Sequence, residues 1–181
     1  MNVSIRTHAR ALIGFTVFLS ACQNLPDAYG PPEQRRLIPD DRPYRIHRVM
    51  NMSDADAPSR FVRDISLGLA ESWRWTGQRP AIHVFMRAND GVRYLIDFAL
   101  PEVTFKDTGP VTISFLVNDH LVDQVRYTEA GSQHFEKPVP AEWVPAGRES
   151  TVAAEIDKVW VDPRDGAKLG FILIRMGLTQ R

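Results

Sequence analysis

From Val92 to Leu100 the chain alternates: Val92, Tyr94, Ile96, Phe98 and Leu100 share one face of an extended strand, while Arg93 and Asp97 fall on the other. A period of two commits this segment to a half-buried β-strand. Ahead of it stand Ala81 to Arg87 and then Asn89-Asp90-Gly91. The Asp-Gly pair supplies the positive-φ positions of a tight turn, so an antiparallel hairpin is predicted here. A second hairpin is predicted after the Gly109-Pro110 break. Val111 to Val117 carries Val111, Ile113, Phe115 and Val117 on one face, Asn118-Asp119-His120 turns, and Leu121 to Tyr127 returns.

Weaker segments extend the pattern. Tyr44 to Met50 reads as a first strand, Ser53 to Ser59 as a loop, and Phe61 to Leu69 as a strand, with a short helix as the alternative. Gln133 to Lys137, Thr151 to Ile156 with Val159 to Val161, and Lys168 to Leu178 complete the set, the last through alternating Ile172, Ile174, Met176 and Leu178. Many short strands with turn residues between them predict an all-β, antiparallel β-sandwich.

The first residues have another character. Arg6, His8 and Arg10 precede an apolar run of nine, Ala11 to Leu19, interrupted only by Gly14 and Thr16. Such a helix would reach only about 14 Å against a hydrocarbon core of about 30 Å, so the run reads as an export signal and not as a permanent span. Leu19-Ser20-Ala21-Cys22 follows, and it resembles the lipobox of bacterial lipoprotein precursors. That resemblance implies cleavage after Ala21 and lipidation of Cys22. The alternative is an ordinary secretory signal that leaves a free thiol. Cys22 is the chain's single cysteine, so no intramolecular disulfide competes for it.

Each buried acyl methylene contributes about 0.8 kcal/mol, and a doubly or triply acylated cysteine would hold the chain on a membrane. Gln23, not aspartate, follows the cysteine. In a cell with two membranes this resembles cargo sorted to the outer one, facing the periplasm. From Gln23 to Pro43 come Pro26, Gly30, Pro31, Pro32, Pro39 and Pro43 among charged residues, a composition that favours an extended tether. The expected organisation is a signal peptide over 1–21, lipidated cysteine and tether over 22–43, and a β-sandwich over 44–181.

Removal of 21 residues from 181 leaves 160, enough for one domain with its own core. The leader takes two of the 22 basic residues and none of the 22 acidic ones, so the mature charge is near −2. No polycationic face for nucleic acid is implied.

Three short stretches resemble the jelly-roll sandwich of the galactose-binding-domain-like superfamily, in the version found beside bacterial glycosyltransferases and cell-envelope proteins. Glu71-Ser72-Trp73-Arg74-Trp75-Thr76 is similar to its Glu then Arg-Trp-Thr opening strand. Phe115-Leu116-Val117-Asn118-Asp119-His120-Leu121 is similar to its strand, Asn-containing turn and return strand. Asp165-Gly166-Ala167-Lys168-Leu169-Gly170 is similar to its closing element, with Lys168 where an arginine is usual and displaced by one position. The resemblance implies a fold. It spans carbohydrate-binding modules and ligand-free scaffolds alike, so the role has to come from the site.

Trp73 and Trp75 lie two apart and share a face if the segment is extended. Large aromatics usually bury, which makes core filling the expectation; the alternative is a stacking platform for the apolar faces of sugar rings. Trp143 and Trp160 stand alone, and core filling is the stronger expectation for them. His47, His83, His120 and His134 show no metal-ligand spacing, and no cofactor motif is present. Asp162-Pro163-Arg164-Asp165-Gly166 reads as a solvated turn, with calcium binding as the alternative. No Gly-x-Ser-x-Gly elbow flanks Ser66 or Ser132. The acid pairs Asp54/Asp56 and Glu129/Glu136 have no cleft assigned to them.

The leading expectation is a non-catalytic, lipid-anchored envelope protein whose sandwich binds a glycan or a partner protein. The alternatives are a small lipid-anchored hydrolase of envelope polysaccharide and a structural lipoprotein with no ligand.

Overall fold

A computed structural model describes residues 48–180. The predicted signal peptide, Cys22, the predicted tether and residues 44–47 of the first predicted strand lie outside these residues. Among the described residues no helix is long and apolar enough to cross a membrane.

The chain runs β1 (Val49–Asn51), β2 (Phe61–Ile65), β3 (Arg74–Met86), β4 (Val92–Leu100), α1 (Glu102–Thr108), β5 (Val111–Val117), β6 (His120–Tyr127), β7 (Gly131–Pro138), β8 (Arg148–Ile156), β9 (Trp160–Val161), β10 (Lys168–Leu169) and β11 (Ile172–Gln180). One layer takes the order β1-β11-β4-β7 and the other β2-β3-β8-β5-β6, every pairing antiparallel. This is the strand order of a jelly roll. The start of β3 bridges the layers, since Arg74 and Trp75 pair with Leu173 and Ile172 of β11 while the rest of β3 pairs with β2 and β8.

The core lies between the layers. Tyr94, Ile96 and Phe98 of β4, Ile113 and Phe115 of β5, and Leu173, Met176 and Leu178 of β11 are fully buried. Phe115 stacks on Phe135 of the opposite layer with ring centroids 3.8 Å apart. The Tyr94 hydroxyl crosses the core to donate to the Ala153 carbonyl at 2.9 Å, and burial pushes the phenol's pKa well above its ordinary value.

Three sequence expectations change. β3 and β4 do not form the predicted hairpin: both edges of β4 are taken by β11 and β7, and β3 pairs with β2, β8 and β11. The segment around Asn89-Asp90-Gly91 carries the chain from one layer to the other. Asp-Gly chemistry permits a tight turn, but long-range pairing decides whether the flanking strands meet. The faces are as predicted, with Val92, Tyr94, Ile96, Phe98 and Leu100 inward.

Second, β11 does not keep one phase. A register irregularity between Leu173 and Arg175 turns Leu173 inward ahead of it and Met176 and Leu178 inward after it, leaving Ile172 and Ile174 half-exposed. Third, α1 lies where no element was expected. Pro101 precedes it, Glu102 stands in its first turn, and Gly109 closes it at φ 65 with its N–H on the Phe105 carbonyl.

The predicted β5–β6 hairpin is present, joined by Asn118 and Asp119 at φ 48 and 65, with His120 already in the return strand. Ser53 to Ser59 is a turn running into a short 3-10 segment, and Phe61–Ile65 is strand, not helix.

Candidate functional site

Along β3 the inward residues are Ile82, Val84 and Met86, and the same even phase extended backward puts Arg74 and Thr76 inside. Trp73 and Trp75 consequently face outward. Both are half-buried, and neither belongs to the core cluster. Their rings meet edge to face with centroids 6.0 Å apart.

Arg74 is the buried cation beneath them. Its Nε donates to the Met52 carbonyl at 2.9 Å, and Nη1 donates to the carbonyls of Ser66, at 3.3 Å, and Leu67. The guanidinium also sits over the Phe61 ring, 5.4 Å from its centroid. These bonds tie the loop after β2 against the start of β3. Ser66 is held further by its own N–H on the Trp75 carbonyl, at 2.9 Å.

The loop and β10 flank an open groove of about 280 Å³. Asp64, Ile65 and Ser66 form one wall, Lys168 and Leu169 the other, with Trp75, Thr76 and Gly77 between. The base is closely fitted: a Cβ on Gly170 would stand 2.2 Å from the Gly77 carbonyl oxygen. The buried Thr76 hydroxyl donates to the Phe171 carbonyl at 2.9 Å and accepts from the Phe171 N–H at 3.0 Å. Asp64 and Glu71, which bracket the loop, both take positive φ, at 55° and 53°. Non-glycine residues in that region store strain and cluster where a surface has a task.

Lys168 has no hydrogen-bond or ion-pair partner among the described residues. One Asp64 oxygen accepts the Arg79 N–H at 2.8 Å. The Ser66 hydroxyl oxygen accepts from Gly68 at 3.1 Å and keeps its own hydrogen to donate. The groove therefore offers an aromatic ring, an aliphatic wall, one exposed cation, a carboxylate and a hydroxyl. That mixture suits a ligand with apolar faces and many hydroxyls.

Other residues singled out in the sequence lie elsewhere. Among the described residues no group of three or more His, Asp or Glu is placed to hold a metal ion. His120 stacks on Trp143 at 5.0 Å, and the Asn118 amide fixes that corner by donating to the Trp143 carbonyl at 2.7 Å. His134 meets Asp97 at 2.5 Å on the outer face of β4 and β7. The Asp162 carboxylate is taken up by Arg164, and the Arg164 side-chain and backbone bonds lower its pKa to about 2. Of the acid pairs, Asp54 accepts from Asn51 and Glu136 from Arg93. Asp64, Ser66, Lys168 and Leu169 were not singled out as groove residues. They come from two stretches far apart in sequence, the end of β2 with the residue after it and β10, and only the fold brings them together.

No protein-family model matches the chain, and no curated protein matches it. Solved structures similar to it include a family 35 carbohydrate binding module from an environmental isolate, 12 % identical, with a TM-score of 0.43, covering 74 % of this chain and 96 % of that one. A family 35 module from Clostridium thermocellum is 9 % identical, with a TM-score of 0.38, covering 75 % of this chain and 90 % of that one. CBM35 from Paenibacillus barcinonensis is 11 % identical, with a TM-score of 0.35, covering 75 % of this chain and 91 % of that one.

Proposed function

We propose that the protein is a non-catalytic envelope protein, anchored through a lipidated Cys22, that holds a glycan in the Trp75 groove. The observation that carries the glycan reading is the inverted burial of Trp73-Arg74-Trp75-Thr76, with the two large aromatics outward and the cation and hydroxyl inward. Indole left half-exposed beside an open, polar-edged groove offers a stacking surface for sugar rings.

The hydrolase alternative is disfavoured by the groove lining, where Asp64 is the one carboxylate. Glycoside hydrolysis ordinarily uses two, about 5–9.5 Å apart. A protein partner draws support from Leu67 and Leu69, 75 % and 46 % exposed in the adjoining loop. Two leucines supply little of the roughly 800 Å² per partner that a stable interface buries, so the glycan reading leads.

A glycan array probed with the full-length protein and with Trp75→Ala tests this. Discrete hits that vanish in a variant with an unchanged melting temperature support it; an array without hits refutes it. The anchor is tested separately. Cys22→Ser should abolish metabolic labelling by palmitate and release the chain from the membrane fraction, and unchanged labelling contradicts the lipid assignment.

A further inference from the structure

Leu169 ends the groove's lining, and its partner across the β9–β10 ribbon is aromatic. In the β9–β10 ribbon Leu169 stands directly opposite Trp160, and directly opposed residues of an antiparallel pair project from the same face, their Cβ atoms about 4.5–5.5 Å apart. Leu169 lines the groove with Trp75, and Trp160, half-buried, stands one strand beyond it. The Trp160 indole N–H donates to Asp107 at 2.8 Å, which fixes the ring from the α1 side. Val161, next to it, is 51 % exposed. Trp75, Leu169 and Trp160 thus stand in succession on β3, β10 and β9.

We infer that Trp160 is a second sugar subsite and that the ligand is a stretch of a linear polysaccharide, not a single terminal sugar; this rests on the glycan reading of the groove. One ring would occupy the Trp75 groove, and a following unit would pass over Leu169 onto Trp160. Trp73, packed edge-on against Trp75, is not among the residues lining the groove.

The test is calorimetric titration of the full-length protein with β-1,4-linked glucan, mannan, xylan and chitin oligosaccharides, each from monosaccharide to hexasaccharide. Affinity is expected to rise with chain length. Trp160→Ala should lower long-chain affinity about tenfold, the scale of one aromatic contact, and leave the monosaccharide unchanged. Trp160→Phe should retain most of the length dependence, separating a lost platform from a disturbed fold, and melting temperatures check the latter. Binding that is independent of length, or a length profile that survives Trp160→Ala, overturns the second subsite while leaving the groove intact. No binding of any oligosaccharide by the wild-type chain overturns both.

Discussion

Phe115 and Trp75 are large aromatics on strands of one sandwich, yet they meet opposite environments. Phe115 is fully buried, stacked on Phe135 and in contact with Tyr94 and Phe98. Trp75 stands half-exposed over a groove, with a buried arginine and a buried threonine as its strand neighbours. Residue type does not separate the two; strand phase does. On β5 the apolar residues take the inward phase, whereas at the start of β3 the polar ones do. Burial stabilises the first aromatic, and the second keeps part of its ring exposed beside the groove.

The contrast breaks most sharply under truncation. Phe115→Ala should cost about 3–5 kcal/mol in urea or guanidinium unfolding, the range for emptying a packed aromatic site. A cost below about 1 kcal/mol would mean that the aromatic cluster does not hold the layers together.

Next in size is Gly170→Ala, which sharpens the comparison from the groove side. The added Cβ would meet the Gly77 carbonyl oxygen at 2.2 Å, and backbone must shift to admit it. A loss of about 1–3 kcal/mol is expected, read as a lower melting temperature. An unchanged melting temperature would show that the groove's base is loosely fitted.

Asp97→Asn should have the smallest effect. Burial alone would raise the Asp97 pKa, but hydrogen bonds from His134 and Arg175 outweigh it and hold the carboxyl below its ordinary value. A depressed carboxyl stabilises the fold above the usual aspartate range, near pH 3.9, and that contribution is lost as the pH falls through the lowered value. The variant should therefore be less stable at neutral pH by under about 1 kcal/mol, the gap closing in strong acid. A gap that widens in acid contradicts the sign.

Much of the sandwich was legible because a period of two survives without neighbours. Val92 to Leu100 and Val111 to Val117 declared their inward faces, and Asn118-Asp119 its turn. What pairs with what was not legible: Asp90-Gly91 reads as a hairpin turn although β4 finds its partners in β7 and β11, far along the chain. The β11 irregularity is invisible for the same reason, because Ile172 and Ile174 fit the alternation as well as Leu173 does. At the site, Gly77 and Pro80 punctuate β3 and made one strand of 13 residues read as two. Had the phase of Ile82, Val84 and Met86 been carried back through them, Arg74 and Thr76 would have fallen inward and both tryptophans outward. The opposing wall, Lys168 and Leu169, lies about ninety residues on, and no local pattern points from it to Trp75.

The most direct measurement is a paired one on Trp75→Ala: calorimetric affinity for a glycan that the wild-type chain binds, with the melting temperature of the same sample. The expected result is loss of binding with the melting temperature within a few degrees of wild type. Retained binding would contradict the assignment of Trp75 to a ligand, and a collapse in stability comparable to that of Phe115→Ala would place it among the residues that build the fold.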